Sequence, residues 1–299
     1  MTSKVMGVCE FGRALLDSGD LDPLYTMIYR ARLSRPDLAR YLLAYWCFYN
    51  TGTCSRIVDQ GDYWAAMREA AADSVHPRGG DRRHFRGNLA TSTVEGLRGL
   101  GMPPEEILDW MCFDGQAVGL RHVMLRVRTL RGFGPTIAFK VADMLERLWK
   151  ARYRFVGSEA TDPLLMSDTP RAGAAAAYPD LHEDDAAVRA DALLRTELAG
   201  YEVPPRYDRG VTVLETETVL CKWKHYLGGS YYVGKGRRAQ LDGLLRYRGS
   251  PTAQRMLRAG VAEGLWVAAG ESYTVPSCPA VSSGEPPGRP KARGAVRGS

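Results

Sequence analysis

The sequence predicts a mainly α fold, and three observations carry that expectation. Apolar residues recur every three to four positions through most of the first half of the chain, the spacing of one helix face. No convincing strand pattern precedes residue 155. Residues 130–147 hold a helix end, a Gly-x-Gly break at Gly132 and Gly134, and a new helix led by Pro135. Glycine adopts backbone angles closed to other residues, and proline suits the first position of a helix. With 299 residues, the chain has room for one large domain or two ordinary ones.

Taken in order, residues 21–33 and 36–49 are apolar at helical spacing. Tyr41, Leu42, Ala44, Tyr45, Trp46, Phe48 and Tyr49 make the second of these apolar nearly all round, so it is expected to be buried. The polar, glycine-broken stretch from Asn50 to Arg56 is of the kind that lines a pocket. Asp62 is placed to cap a helix running to about residue 74. Residues 88–100, 103–111, 116–130 and 135–152 complete a helical domain over 20–156. Residues 157–182, with Thr161-Asp162-Pro163, Gly173 and a run of alanines, read as a linker or crossing loop. Residues 183–275 read as a mostly helical C-terminal part. Within it, 183–198, 237–248 and 252–263 are helical, and 211–226 is helical or extended because of its β-branched residues. From 276 to 299 the Ser/Gly/Pro/Arg composition cannot build a core and predicts a disordered basic tail.

The composition is globular, 45% hydrophobic and 25% charged. Half of the net charge of +6 sits in residues 277–299, where Arg289, Lys291, Arg293 and Arg297 face one Glu285. The positive charge is therefore clustered, which matters more for polyanion binding than the total. No apolar run approaches the ~18 residues of a membrane span. The first twenty residues lack the basic start and apolar core of a signal peptide. A cytoplasmic protein with no membrane partner is expected. The six cysteines (Cys9, Cys47, Cys54, Cys112, Cys221, Cys278) include no C-x-x-C pair and no zinc-finger histidine spacing, so reduced thiols and no metal site are expected.

Three clusters can carry chemistry. The Gly132–Gly134 break between helices has the layout of a helix-hairpin-helix, which holds a nucleic-acid phosphate on unpaired N–H groups. The helix after it places Lys140, Asp143 and Arg147 on one face at i, i+3 and i+7. That face suits either a site or a solvated ion-pair ladder. The second cluster packs Arg78, Arg82, Arg83, His84 and Arg86 between glycines. Arg82, Arg83 and Arg86 lie about a turn apart and are expected to converge on a phosphate. The third runs from Glu215 and Glu217 through Lys222, Lys224 and His225 to Gly234-Lys235-Gly236. Taken alone it reads as a salt-bridged helix and a glycine turn, and it lacks the rest of a Walker motif. Cys54 has no obvious base near it in sequence.

Together these stretches resemble the alpha-glutamyl/putrescinyl thymine pyrophosphorylases, the amino acid:DNA transferases of bacteriophages that hypermodify thymine. The matching segments are Leu43–Ile57, Arg78–Gly87, Gly132–Arg147 and Glu215–Lys235; Gly236 departs from the acidic residue expected there. The resemblance implies a helical domain like that of helix-hairpin-helix DNA glycosylases, with the C-terminal helices completing the site. It implies a transferase that lets an amine displace pyrophosphate from 5-pyrophosphorylmethyl-deoxyuridine, a pyrophosphorylated 5-hydroxymethyluracil, in double-stranded DNA. The partners are that DNA and a free amino acid or polyamine, and the location is the host cytoplasm. No cofactor is required, and Mg²⁺ is an optional aid to pyrophosphate departure. Asp143, Lys140 and Glu217 are the catalytic candidates on this basis. Arg82, Arg83, Arg86, Arg147, Arg56, Lys222 and Lys235 are the substrate-binding candidates, and Gly132, Gly134 and Thr136 the DNA contacts. Tyr and Trp residues near Trp46 are candidates to stack on a base flipped from the duplex. Two alternatives stay open. A helix-hairpin-helix glycosylase or lyase expects a lysine where Thr136 stands and an aspartate where Arg154 stands. A non-enzymatic DNA-binding protein leaves Asp143, Glu215 and Glu217 unused.

Overall fold

A computed structural model describes residues 6–149, 151–153 and 162–266. The expected tail at 276–299 and Arg154 lie outside the described residues. Fifteen α-helices form among them. They are α1 (Val8–Asp17), α2 (Pro23–Ala31), α3 (Arg35–Phe48), α4 (Thr51–Val58), α5 (Tyr63–Ala72), α6 (Gly87–Arg98), α7 (Pro104–Met111) and α8 (Leu120–Arg128). The rest are α9 (Pro135–Leu148), α10 (Asp162–Leu165), α11 (Asp168–Ala177), α12 (Glu183–Glu197), α13 (Val213–Leu227), α14 (Lys235–Arg246) and α15 (Pro251–Ala262). The only strands among the described residues are a two-residue parallel pairing of β1 (Ala117–Val118) with β2 (Arg152–Tyr153). The fold is mainly α, as the periodicity predicts. No helix among the described residues is long and apolar enough to cross a membrane.

Two apolar clusters organise the helices. The larger joins α2 to α9 with α14 and α15, around α3, whose residues from Tyr41 to Phe48 are all buried. The smaller joins α1 to α10, α11, α12 and α13 through Phe11, Leu15, Ala174, Leu194 and Leu220. The chain therefore crosses twice: α1 belongs with the later helices, and α14–α15 return to the earlier ones. Two carboxylates, buried Asp20 and exposed Asp59, fix that return. Asp20 accepts from Gly234 N and Arg237 N, each at 2.7 Å, at the start of α14. Asp59 accepts from Thr252 Oγ1 at 2.6 Å at the start of α15. Negative charge at a helix N-terminus is stabilising there.

Small residues explain where the structure departs from the sequence expectation. Residues 51–58 form a buried helix rather than a pocket-lining break. A Cβ on Gly52 would stand 1.9 Å from the Gly243 carbonyl oxygen, so this glycine lets α4 and α14 touch backbone to backbone. The stretch read as a linker holds α11. A Cβ on its Gly173 would stand 2.4 Å from the Leu220 carbonyl oxygen, so its alanines and glycine form a close-packing face on α13. α13 is a full helix despite its β-branched residues, because Thr212 and Glu215 cap its start reciprocally.

α8 and α9 are joined by a short turn in which Gly132 takes φ +81°. A Cβ there would also stand 2.3 Å from Thr93 Oγ1 on α6. α9 then packs on α2, α3 and α8, which carries its charged face into the interior.

Candidate active site

Lys140, Asp143 and Arg147 share one face of α9, and that face is not solvated. The side chains of Asp143 and Arg147 are 0% and 2% exposed, and that of Lys140 is 21% exposed. α2 covers the face with Asp22, which flanks its N-terminus, and Tyr25; α13 adds Glu215 and Glu217. Tyr25 Oη donates to Asp143 Oδ2 at 2.5 Å. Lys140 Nζ donates to Asp143 Oδ2 and Asp22 Oδ1, each at 3.3 Å, and lies 4.6 Å from the centre of the Tyr25 ring. Arg147 pairs with Asp22 and Asp143, each at 3.4 Å, and most closely with Glu215. It also donates to the Pro204 carbonyl oxygen. Arg209 backs the network, pairing with Glu215 at 3.0 Å and Glu146 at 2.9 Å.

Burial works against charge on each of these groups, and the neighbours decide the outcome. For Glu215, burial is outweighed by Arg147 and Arg209, which hold it below the ordinary glutamate value. For Arg147, burial is outweighed by Glu215, Asp143 and Asp22, which keep it charged. For Lys140, burial is outweighed by Asp22, Tyr25 and Asp143, which raise its pKa. Asp143 is raised by burial against the pull of Lys140 and Arg147. Glu217 has no such cation contact. Burial, aided by Asp143 and Asp22 and opposed by Lys140, pushes its carboxyl up to about 8. Its hydrogen bond from Thr218 Oγ1 is long, at 3.4 Å. The arrangement places a carboxyl whose pKa is raised toward neutral pH within electrostatic reach of a fixed ammonium, a combination suited to general acid–base chemistry.

The arginine cluster does not converge as the sequence spacing suggests. Arg82 turns inward: its Nε donates to the Trp46 carbonyl oxygen and its Nη1 to that of Gly132, both at 2.7 Å. Its guanidinium also lies over the Phe85 and Phe133 rings, at 4.4 and 5.3 Å from their centres. Arg82 thus ties the α8–α9 turn to the end of α3. Arg78 bonds the carbonyl oxygens of Ala70, His76 and Phe85 in the same manner. Arg83 and Arg86 remain exposed, with Arg86 Nη1 reaching the Ser74 carbonyl oxygen at 2.7 Å. Gly134 flanks α9 without a side-chain cap, and Thr136 in its first turn is exposed.

The remaining candidates are dispersed. Lys222 Nζ donates to the carbonyl oxygens of Asp20 and Leu21, both at 2.5 Å, so it ties α13 to the α1–α2 connection; burial lowers its pKa. Lys235 bonds the Ser230 carbonyl oxygen, and the glycine turn around it receives the Asp20 carboxylate. Arg56 lies in a separate cleft with Asp59, Arg246 and Tyr247, in contact with His76. Trp46 is buried, its Nε1 donating to Met144 Sδ, which removes it as a stacking surface. Tyr45 and Tyr49 stack at 4.9 Å, and Tyr49 is half-buried. Cys54 is buried and burial raises its pKa, so it is not an activated nucleophile. Among the described residues no group of three metal-ligating side chains gathers.

No protein-family model matches the chain. It is 35% identical to the glycinyltransferase of Pseudomonas phage PaMx11 over 255 residues, which cover 76% of this chain and 86% of that protein. The chain belongs to the amino acid/polyamine transferase family of phage thymine hypermodification. It is also 22% identical to the putrescinyltransferase of Delftia phage PhiW-14 over 249 residues, covering 79% of this chain and 78% of that protein.

In this transferase, sequence reasoning misses Asp22, Tyr25 and Arg209. Tyr25 and Asp143 are 118 residues apart in the chain. The one local signal is Asp22-Pro23, an aspartate before a helix-starting proline, which reads as a cap. The Asp22 side chain makes no such cap bond and faces Lys140 and Arg147 instead.

Proposed function

We propose that the network between α2, α9 and α13 is the chemical centre of a transferase acting on 5-pyrophosphorylmethyl-deoxyuridine in double-stranded DNA. The nitrogen of an amine attacks the methylene carbon; the C–N bond forms, the C–O bond to pyrophosphate breaks, and the amine loses one proton. The observation that supports this reading is Glu217. It is buried within electrostatic reach of Lys140, and its carboxyl is pushed up to about 8. Such a group takes a proton from an amine near neutral pH, where an ordinary glutamate is too weak a base.

The other roles follow from position. Lys140 is mostly buried, with 21% of its side chain exposed and two of its three donors committed, leaving one for the charge that develops on the departing pyrophosphate. Asp143 holds Lys140 in place, and Arg147 in turn holds Asp143. Tyr45 and Tyr49 offer a ring stack for a base flipped from the duplex. The turn at Gly132 and Gly134, with Thr136, meets the DNA backbone, and Arg83 and Arg86 add phosphate contacts. Arg82 serves the same surface indirectly by fixing the turn. The donor is an amino acid or a polyamine, the two classes that the names of the relatives point to.

The test is mass spectrometry of nucleosides from DNA bearing 5-pyrophosphorylmethyl-uracil after incubation with the protein and a panel of amines. One aminomethylated nucleoside and an equal amount of pyrophosphate are expected. Abasic sites instead would point to a glycosylase.

A further inference from the structure

We infer that Asp22 and Tyr25 are positioning residues of the transfer, holding Lys140 and Asp143 in the geometry and charge state that the reaction uses. The inference rests on the reading of this network given above. Neither residue belongs to α9: Asp22 precedes α2 and Tyr25 lies in its first turn, in a segment whose sequence carries no charge pattern. Asp22 is shared between Lys140 Nζ at 3.3 Å and Arg147 Nη2 at 3.4 Å, so one carboxylate fixes both cations of the face. Tyr25 does three things with one side chain. Its hydroxyl donates to Asp143 Oδ2 at 2.5 Å, and its ring underlies Lys140 at 4.6 Å and Arg147 at 5.3 Å. Tyr25 is 1% exposed and Asp22 6% exposed, so neither arrangement is a surface accident.

The groups in electrostatic reach of Lys140 include Asp22 and Tyr25 at the start of α2, Tyr45 and Tyr49 at the end of α3, Asp143 on its own helix, and Glu217 and Lys222 from α13; Arg147, further along α9, shares Asp22, Asp143 and the Tyr25 ring with it. Asp22 leads the groups that favour the ammonium, against burial. Removing its charge therefore frees the Lys140 amine at lower pH. Removing the Tyr25 hydroxyl takes a donor from the Asp143 carboxylate, which then protonates at higher pH.

The full-length chain is labelled with an acylating reagent, and modification of Lys140 is quantified by mass spectrometry against exposed Lys224 across pH 6–10. The pH dependence of pyrophosphate release is measured in parallel. Asp22→Asn is expected to raise Lys140 labelling at pH 8 by about tenfold, the change in free amine that one pKa unit produces. Tyr25→Phe is expected to leave Lys140 labelling near the wild-type level, raise the acid limb and lower kcat with DNA affinity unchanged. Unchanged Lys140 labelling in a folded Asp22→Asn protein overturns the inference. If Asp22→Asn does not fold, an acid limb and kcat unmoved by Tyr25→Phe overturn it. Failure of the transfer reading shows separately, as absence of pyrophosphate release from the wild-type protein.

Discussion

The charged face of α9 and the arginine loop at 78–87 both concentrate charge, and the fold uses them in opposite ways. On α9 the cations and carboxylates turn inward and find partners of the opposite sign on α2 and α13. In the loop, Arg78 and Arg82 turn inward and find main-chain carbonyls, while Arg83 and Arg86 stay outside. Buried carboxylate–cation contacts shift pKa values and equip a site for proton transfer. Buried guanidinium–carbonyl contacts satisfy backbone and fix geometry without offering a titrating group. The difference lies in what the rest of the chain delivers to each segment, and on the proposed function it separates a chemical centre from a scaffold for a DNA-facing surface.

The largest effect is expected from Asp143→Asn. Removing one charge from a buried pair destabilises by on the order of 3 kcal/mol, and losing a transition-state electrostatic contact slows turnover by about a hundredfold or more. Thermal melting and single-turnover product formation check the two, and DNA affinity should hold. Activity within about threefold of wild type would remove Asp143 from the chemistry. Arg82→Ala is expected to cost about 3 kcal/mol, because two carbonyls lose charge-assisted donors and two rings lose their cation. Urea unfolding measures this, and an effect on DNA binding alone would return Arg82 to the phosphate-binding set. Gly132→Ala should cost at least about 1 kcal/mol through its positive φ and the Thr93 clash, with DNA affinity falling as the turn distorts.

Glu217 gives a prediction with a sign. Its folded pKa, about 8, stands above the ordinary glutamate value. Its contribution to stability is therefore intact below the unfolded pKa and is lost as pH rises toward 8. Glu217→Gln should remove up to about 1.4 kcal/mol per pH unit of that downward slope, the value for one proton. Denaturant midpoints of both proteins from pH 5 to 8 decide it. Smallest is Arg83→Ala. Stability should change by no more than about 0.5 kcal/mol, while the log–log salt dependence of DNA binding flattens by about one unit. An unchanged slope would take Arg83 off the DNA surface.

Much of the fold is legible in the sequence. Helical periodicity identifies α3 and its burial, α5 to α9 and α12, and the Gly-x-Gly break locates the α8–α9 turn. α4 and α11 are misread for one reason. Gly52 and Gly173 look like breaks when their partners, Gly243 and Leu220, are not in view. The site is legible only in part. The spacing of Lys140, Asp143 and Arg147 puts them on one face, and Glu215 and Glu217 stand out as carboxylates. Nothing local says that the face is buried, because Asp22, Tyr25 and Glu215 come from distant segments. The inward turn of Arg82 is equally hidden, since a carbonyl acceptor leaves no trace in side-chain sequence.

The central claim is that a buried carboxyl on α13 takes the proton of the attacking amine. Single-turnover pyrophosphate release from 5-pyrophosphorylmethyl-uracil DNA, followed from pH 6 to 9 with wild-type protein and Glu217→Gln at saturating amine, tests it most directly. The wild-type rate should rise about tenfold per pH unit and level off near pH 8. The variant should be slower by about a hundredfold and lack that break. Pyrophosphate release with the same rate and the same pH profile in both proteins would contradict the account.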